Sequence, residues 1–297
     1  MTKKLLFLTL CFLLAISLGC TAKEPDKTEK PQETSAAVMQ ELQDLKQKGA
    51  SPEEIANFIT DNIAKVPKED GSQMVDTLEQ VQREQLPQFE ALFMEGAWQS
   101  KLANHYQANN YQGITDPSAI QDAELKTFLE KVTKNGYKVE TAEGTFFPII
   151  DYEFYEKFSP YVTADRKDYI EIMSVESQQV PAKDAALVIS WDEVLKRAQN
   201  QEKFLTTHKD SVKAAEVKKL YQQYVVYTLY GLNNTPLFSY ETNTIDPEAK
   251  KSYLAAVKNP RHSEYLKMLS GYLDLLAKNN YVLTDEVKQY RDKVSEQ

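Results

Sequence analysis

From Val38 onward, the apolar residues of this chain recur mostly at three- and four-residue intervals. That period fits one face of an α-helix and not a β-strand, whose faces alternate at every second residue. Val38, Leu42 and Leu45 share a face, Ile55, Phe58, Ile59 and Ile63 form the next stripe, and Met74, Leu78 and Val81 another. Leu125, Phe128, Leu129 and Val132 follow the same rule and stop at Asn135-Gly136, a helix C-terminal signal. Tyr169, Ile172, Met173 and Glu176 share one face, and Leu266, Leu269, Leu273 and Leu276 form a seam. Ser51-Pro52-Glu53-Glu54 and Ser190-Trp191-Asp192-Glu193 read as capping boxes, and Asp246-Pro247 and Thr284-Asp285-Glu286 as helix starts. Pro87 predicts a kink or an end to the helix carrying Leu78 and Val81. Over 211–230 the apolar and tyrosine residues cover nearly all sides, which predicts a central helix capped by Gly231.

One stretch departs from the helical period. Tyr137, Val139 and Thr141 alternate, Ala142-Glu143-Gly144 turns the chain, and Thr145 to Ile150 is β-prone with Pro148 restricting it to an edge. The expected fold is therefore mainly α, a single multi-helix domain of about nine to eleven helices with one small β-hairpin near 137–150. Composition agrees: the chain has 9 glycines in 297 residues, about 3% against an average near ~7%, which disfavours turn-rich β-sandwiches.

The first twenty residues carry a different message. Lys3 and Lys4 precede an uncharged 14-residue run, Leu5 to Leu18, too short to span a bilayer core of ~30 Å. A positive flank, a short apolar core and small residues ahead of a cleavage point read as an export signal. Ser17-Leu18-Gly19 leads directly into Cys20, and in this the segment resembles the lipobox of bacterial lipoproteins, with Ser17 where that pattern usually has Leu. The resemblance implies cleavage between Gly19 and Cys20, a diacylglycerol on the Cys20 thiol, and a place at the extracytoplasmic face of the cell membrane. It does not extend beyond this segment. The expected organisation is a signal peptide over 1–19, a lipidated cysteine and disordered tether over 20–35, and a helical extracytoplasmic domain over 36–297. The tether Thr21 to Ser35 has two prolines, interleaved charges and no apolar residue larger than Ala22. Fully extended, it reaches about 50 Å.

Cleavage changes the electrostatics and the thiol count. Loss of Lys3 and Lys4 leaves 33 basic against 44 acidic residues, a net charge of −11 in place of −9. Cys11 leaves with the signal, and lipid occupies the sulfur of Cys20. The mature chain then has neither a disulfide nor a free thiol, which excludes thiol enzymes and fits a Gram-positive envelope. The acidic balance argues against nucleic-acid partners, which need clustered Lys and Arg.

Catalytic signatures are missing from the sequence. It has no G-x-S-x-G, S-x-x-K, G-x-G-x-x-G, P-loop, EF-hand loop or H-E-x-x-H, so no cofactor or metal is expected. His105, His208 and His262 lie far apart and read as ordinary histidines. Among the carboxylates, Glu171 and Glu176 near Asp168 are the pair to inspect first for acid–base work, and solvated helix charges are the simpler reading of them.

The 17 tyrosines cluster at 152–161, at 221–230 and at Tyr240. At helical spacing they read mainly as core, while exposed rows suit glycan or protein contact. Two segments fit a core less easily, Phe147 to Tyr152 and Gly231 to Pro236. If they line a cleft, Phe147, Asp151, Tyr152, Asn233 and Asn234 bind there, with Trp191 and Arg197 nearby. The reading that follows is a non-enzymatic, lipid-anchored envelope protein that binds a protein or glycan partner. A carboxylate-dependent wall hydrolase is one alternative. A solute-binding lipoprotein of a transporter is another, although the chain has few of the Gly-rich turns and alternating strands of that fold.

Overall fold

A computed structural model describes residues 34–110, 116–258 and 263–295. The proposed signal, Cys20 and His262 lie outside the described residues, as does all of the tether up to Glu33. The fold is mainly helical. In chain order the helices are α1 (Ser35–Gln47), α2 (Pro52–Asn62), α3 (Lys68–Met94), α4 (Trp98–Ala108) and α5 (Ala123–Lys134). An antiparallel hairpin follows, β1 (Tyr137–Ala142) with β2 (Thr145–Ile150), then a 3-10 segment over Tyr152–Tyr161. The chain continues through α6 (Ala164–Gln178), the short strands β3 (Ala182–Lys183) and β4 (Ala186–Leu187), α7 (Trp191–Thr207) and α8 (Ala214–Tyr230). It ends with β5 (Gly231–Leu232), β6 (Thr235–Pro236), α9 (Pro247–Ala256), α10 (Glu264–Lys278) and α11 (Asp285–Ser295). Among the described residues no helix is long and apolar enough to cross a membrane.

Local signals explain most of these boundaries. At α2 the capping box is complete: Ser51 Oγ accepts from Glu54 N at 3.2 Å, and Glu54 returns an acceptor to Ser51 N at 2.7 Å. At α7 only half of the expected box forms. Ser190 Oγ accepts from Glu193 N, but the Glu193 carboxylate turns to Arg197 Nε at 3.0 Å instead of the cap. Asp246 caps α9 through Ala249 N, and Gly231 ends α8 at φ 70° and ψ −146°, a conformation essentially reserved for glycine. A Cβ there would meet Thr235 O at 2.3 Å, so the site demands glycine on both counts.

Pro87 neither ends nor breaks α3, which runs on to Met94. The turn beyond it buries Phe89 and Phe93 against α5 and the hairpin, and that packing offsets the hydrogen bond proline cannot donate. The β1–β2 hairpin forms with Tyr137 opposite Ile150 and Ala142 opposite Thr145. Its Glu143-Gly144 turn has positive φ at both residues, the mirror-type turn that tight hairpins need. Two further two-residue hairpins, β3–β4 and β5–β6, are too short to leave any alternation in the sequence.

Three apolar clusters hold the helices together. One joins α1, α2, most of α3, the 3-10 segment and α6; a second joins the end of α3 to α4, α5 and the hairpin; a third is built from α7 to α11. The seam Leu266, Leu269, Leu273 and Leu276 lies inside the third cluster, each side chain contributing about 1.5–3 kcal/mol by burial. The tyrosines are core residues: Tyr137, Tyr155, Tyr169, Tyr224, Tyr253, Tyr265 and Tyr272 are fully buried. Helix α7 spans two clusters. Its residues from Trp191 to Ala198 belong to the third, whereas Phe204 packs into the first.

Candidate functional site

A cleft of about 110 Å³ opens between α6 and α7. Helix α6 lends it Asp168, Glu171, Ile172, Val175 and Glu176; helix α7 lends Arg197, Asn200, Gln201, Lys203 and Phe204. The wall from α7 is unusual because its buried stripe is not wholly apolar. Val194, Leu195, Ala198 and Phe204 follow helical spacing, but Arg197 and Gln201 share the inward face and are also buried.

Arg197 is held from several directions. Its Nε donates to Glu193, and its Nη1 donates to Gln179 O at 2.9 Å, the Tyr224 hydroxyl at 3.2 Å and Glu176 Oε2 at 3.3 Å. The Tyr224 hydroxyl in turn donates to Glu176 at 2.7–2.8 Å. Burial lifts the Glu176 carboxyl above the ordinary carboxylate range, although the Tyr224 hydrogen bond and the Arg197 guanidinium pull the other way. Burial likewise pushes the Tyr224 phenol up, with the Glu176 charge adding to it. At the outer end, Asp168 Oδ2 lies 2.8 Å from His208 Nε2, and the imidazole packs on Phe204.

Gln201 is different. It is 1% exposed, and neither its Oε1 nor its Nε2 has a hydrogen-bond partner. Among the described residues only Tyr272 Oη and Arg291 Nε share that condition. Buried amides are ordinarily paired, so an unpartnered amide beside a cleft needs a reason.

A second polar centre lies under α3. Glu79, 3% exposed, accepts from the hydroxyls of Tyr152 and Tyr169 at 2.5 and 2.6 Å, from Arg83 at 2.6 Å and from Lys213. Burial alone would raise its carboxyl; Lys213 and the two tyrosines outweigh that and leave it below the usual range. Arg166 clamps Asp76 with Nε and Nη2 at 2.9 Å beside it. Every group here is satisfied within the protein, so the centre reads as a cross-link of α3, the 3-10 segment, α6 and α8.

The residues singled out in the sequence do not converge. Phe147 is half-buried on β2 opposite Glu140, Asp151 caps the 3-10 segment through Glu153 N, and Tyr152 belongs to the Glu79 centre. Trp191 is a core residue set edge-on to Tyr253. Asn233 and Asn234 form the β5–β6 turn, and Asn234 bonds the backbone of Asp184 and Ala185 to tie two hairpins together. Only Arg197 of that set lines the α6–α7 cleft. The acids Asp168, Glu171 and Glu176, named on sequence as the carboxylates to inspect, all line it. Gln201 was missed, and its signal is visible: a polar residue at a buried position of the α7 stripe.

Among the described residues no three His, Cys, Asp or Glu side chains converge closely enough to hold a metal ion. Large exposed apolar side chains are scattered, with Tyr161 and Tyr240 the aromatic ones. No protein-family model matches the chain, and no curated protein or solved structure is significantly similar to it.

Proposed function

We propose that this chain is an exported, lipid-anchored protein of a bacterial envelope that binds a protein or glycan partner and performs no catalysis. The location rests on Lys3-Lys4, the apolar run to Leu18, Cys20 and the polar tether behind it. Two acyl chains on Cys20 would anchor stably, as one does not. The membrane surface is commonly anionic, so an acidic domain needs such an anchor to stay near it.

The observation that carries the binding role is the contrast within the α6–α7 cleft. Glu176 has both oxygens engaged by Tyr224 and one also by Arg197, and Asp168 is paired with His208, while the Gln201 amide stands open. Glycoside hydrolysis needs one protonated acid and one unencumbered carboxylate facing the same bond. An unpartnered amide in a lining of mixed polar and apolar groups suits recognition. Wild-type protein is expected to incorporate labelled fatty acid, to fractionate with membranes, and to be captured with a partner after crosslinking or on purified cell wall. Cys20→Ser is expected to lose both label and membrane association. A Cys20→Ser chain still labelled and membrane-bound overturns the anchor; failure to bind any partner or wall overturns the binding role.

The upward-shifted Glu176 carboxyl beside Glu171 favours a second reading, a carboxylate-dependent wall hydrolase. It requires wall-degrading activity in the wild type that Glu176→Gln abolishes. Absence of activity in the wild type disposes of it.

A further inference from the structure

The complement of Gln201 can be read from its chemistry. A carboxamide places one acceptor and one donor side by side, and neither has a partner here. Two adjacent hydroxyls on a ring match that pair, one accepting from Nε2 and the other donating to Oε1. Both atoms are buried in the unliganded chain, so binding requires Gln201 to turn toward the cleft it lines, and the terminal amide torsion of glutamine is soft. The rest of the lining suits the same ligand. Ile172, Val175 and Phe204 offer an apolar wall for the C–H face of a ring, and Asp168 and Glu171 offer acceptors for further hydroxyls. A cavity of ~150 Å³ is known to hold a six-membered aromatic ring. The 110 Å³ here opens to solvent and takes the edge of one.

Other ligand classes fit less well. Three carboxylates and two cations line the cleft, and Arg197 is already committed to Glu176, which disfavours an anion. A primary carboxamide pairs with Gln201 but leaves the acids of the rim without donors.

We infer that the α6–α7 cleft binds a neutral sugar through a vicinal pair of ring hydroxyls held by the two amide atoms of Gln201. The inference deepens the glycan arm of the binding role above and rests on that role, but not on the lipid anchor.

The test is calorimetric titration of the purified full-length chain with the methyl glycosides of glucose, galactose, mannose and N-acetylglucosamine. The controls are the O-methylated glycosides and propionamide. At least one free-hydroxyl glycoside is expected to bind, and its O-methylated form is not. Gln201→Met is expected to weaken binding roughly ten- to hundredfold, as loss of two hydrogen bonds implies, and the exposed-rim variant Glu171→Gln by a smaller factor. A melting temperature no lower than wild type in both variants shows that folding is not the cause. The inference is overturned if no glycoside binds, if the O-methylated form binds equally, if Gln201→Met binds like wild type, or if propionamide binds in their place. Retention on cell wall without binding of any glycoside leaves the binding role standing and removes this inference alone.

Discussion

Replacing Gln201 with methionine tests the openness of its amide without any ligand. Both amide atoms are buried and unpaired, and a polar group left in that state costs about 1–3 kcal/mol. Methionine has a similar length, no polar hydrogen-bonding demand and a flexible thioether that fits irregular gaps beside Ile172, Val175 and Phe204. Gln201→Met is therefore expected to stabilise the fold by about 1–3 kcal/mol. For a domain of this size each kcal/mol moves the melting temperature by about 2–4 °C, so a rise of about 2–12 °C follows. Differential scanning calorimetry and urea melts at neutral pH measure it, with an unchanged urea slope showing that the same surface unfolds. A fall of several degrees refutes the reasoning: it means that the amide is already satisfied, for instance by a water making two to four hydrogen bonds. The same experiment with saturating glycoside separates the two roles of the residue. Wild type gains stability by mass action and the variant does not.

Further consequences test the scaffold. Glu79→Gln removes one acid from Lys213 and Arg83, which keep Asp76 and Glu216, and is expected to cost about 1–3 kcal/mol in urea melts. The Glu79 carboxyl sits below its ordinary value in the folded state, so its contribution is full above the unfolded value near 4.5 and disappears as pH falls through the folded one. The acid limb of stability below about pH 4.5 should accordingly be shallower in Glu79→Gln. Glu176 has the opposite sign. Its carboxyl is raised, so folding favours its protonated form and that contribution is lost as pH rises from 4.5 through the folded value; Glu176→Gln should flatten stability in that window. Pro87→Ala restores a donor in mid-helix at an exposed position, and urea melts should show about 2–3 kcal/mol of stabilisation. Gly231→Ala forces a Cβ against Thr235 O at a positive φ, so a lower melting temperature and loosened β5–β6 protection in hydrogen exchange are expected.

The helices were legible because their causes are local. Ser51 and Glu54 close a box three residues apart, Leu266 to Leu276 keep one face, and Asn135-Gly136 end a helix where the apolar set stops. The hairpin at 137–150 was legible because six-residue strands alternate long enough to show it. What the sequence left open or misplaced depended on distant partners. Pro87 stays helical because Phe89 and Phe93 find a core made by α5 and the hairpin, which no window around residue 87 contains. Glu193 leaves its cap for Arg197, whose own partners Glu176 and Tyr224 come from α6 and α8. The candidate site shows the same division. Asp168, Glu171 and Glu176 were visible as acids of one helix, but Tyr152 and Asn234 looked like ligand residues because their tertiary partners, Glu79 and Asp184, lie 73 and 50 residues away. Gln201 was overlooked because a lone amide carries no motif; only its place in the stripe between Ala198 and Phe204 marks it.

The central claim concerns what meets Gln201 in the α6–α7 cleft. A crystal structure of the full-length chain with the tightest-binding glycoside tests it most directly. The expected result is two neighbouring ring hydroxyls within about 2.6–3.2 Å of Gln201 Oε1 and Nε2, with the ring face on Ile172, Val175 and Phe204. A glycoside bound elsewhere on the surface, with Gln201 holding only water, contradicts it.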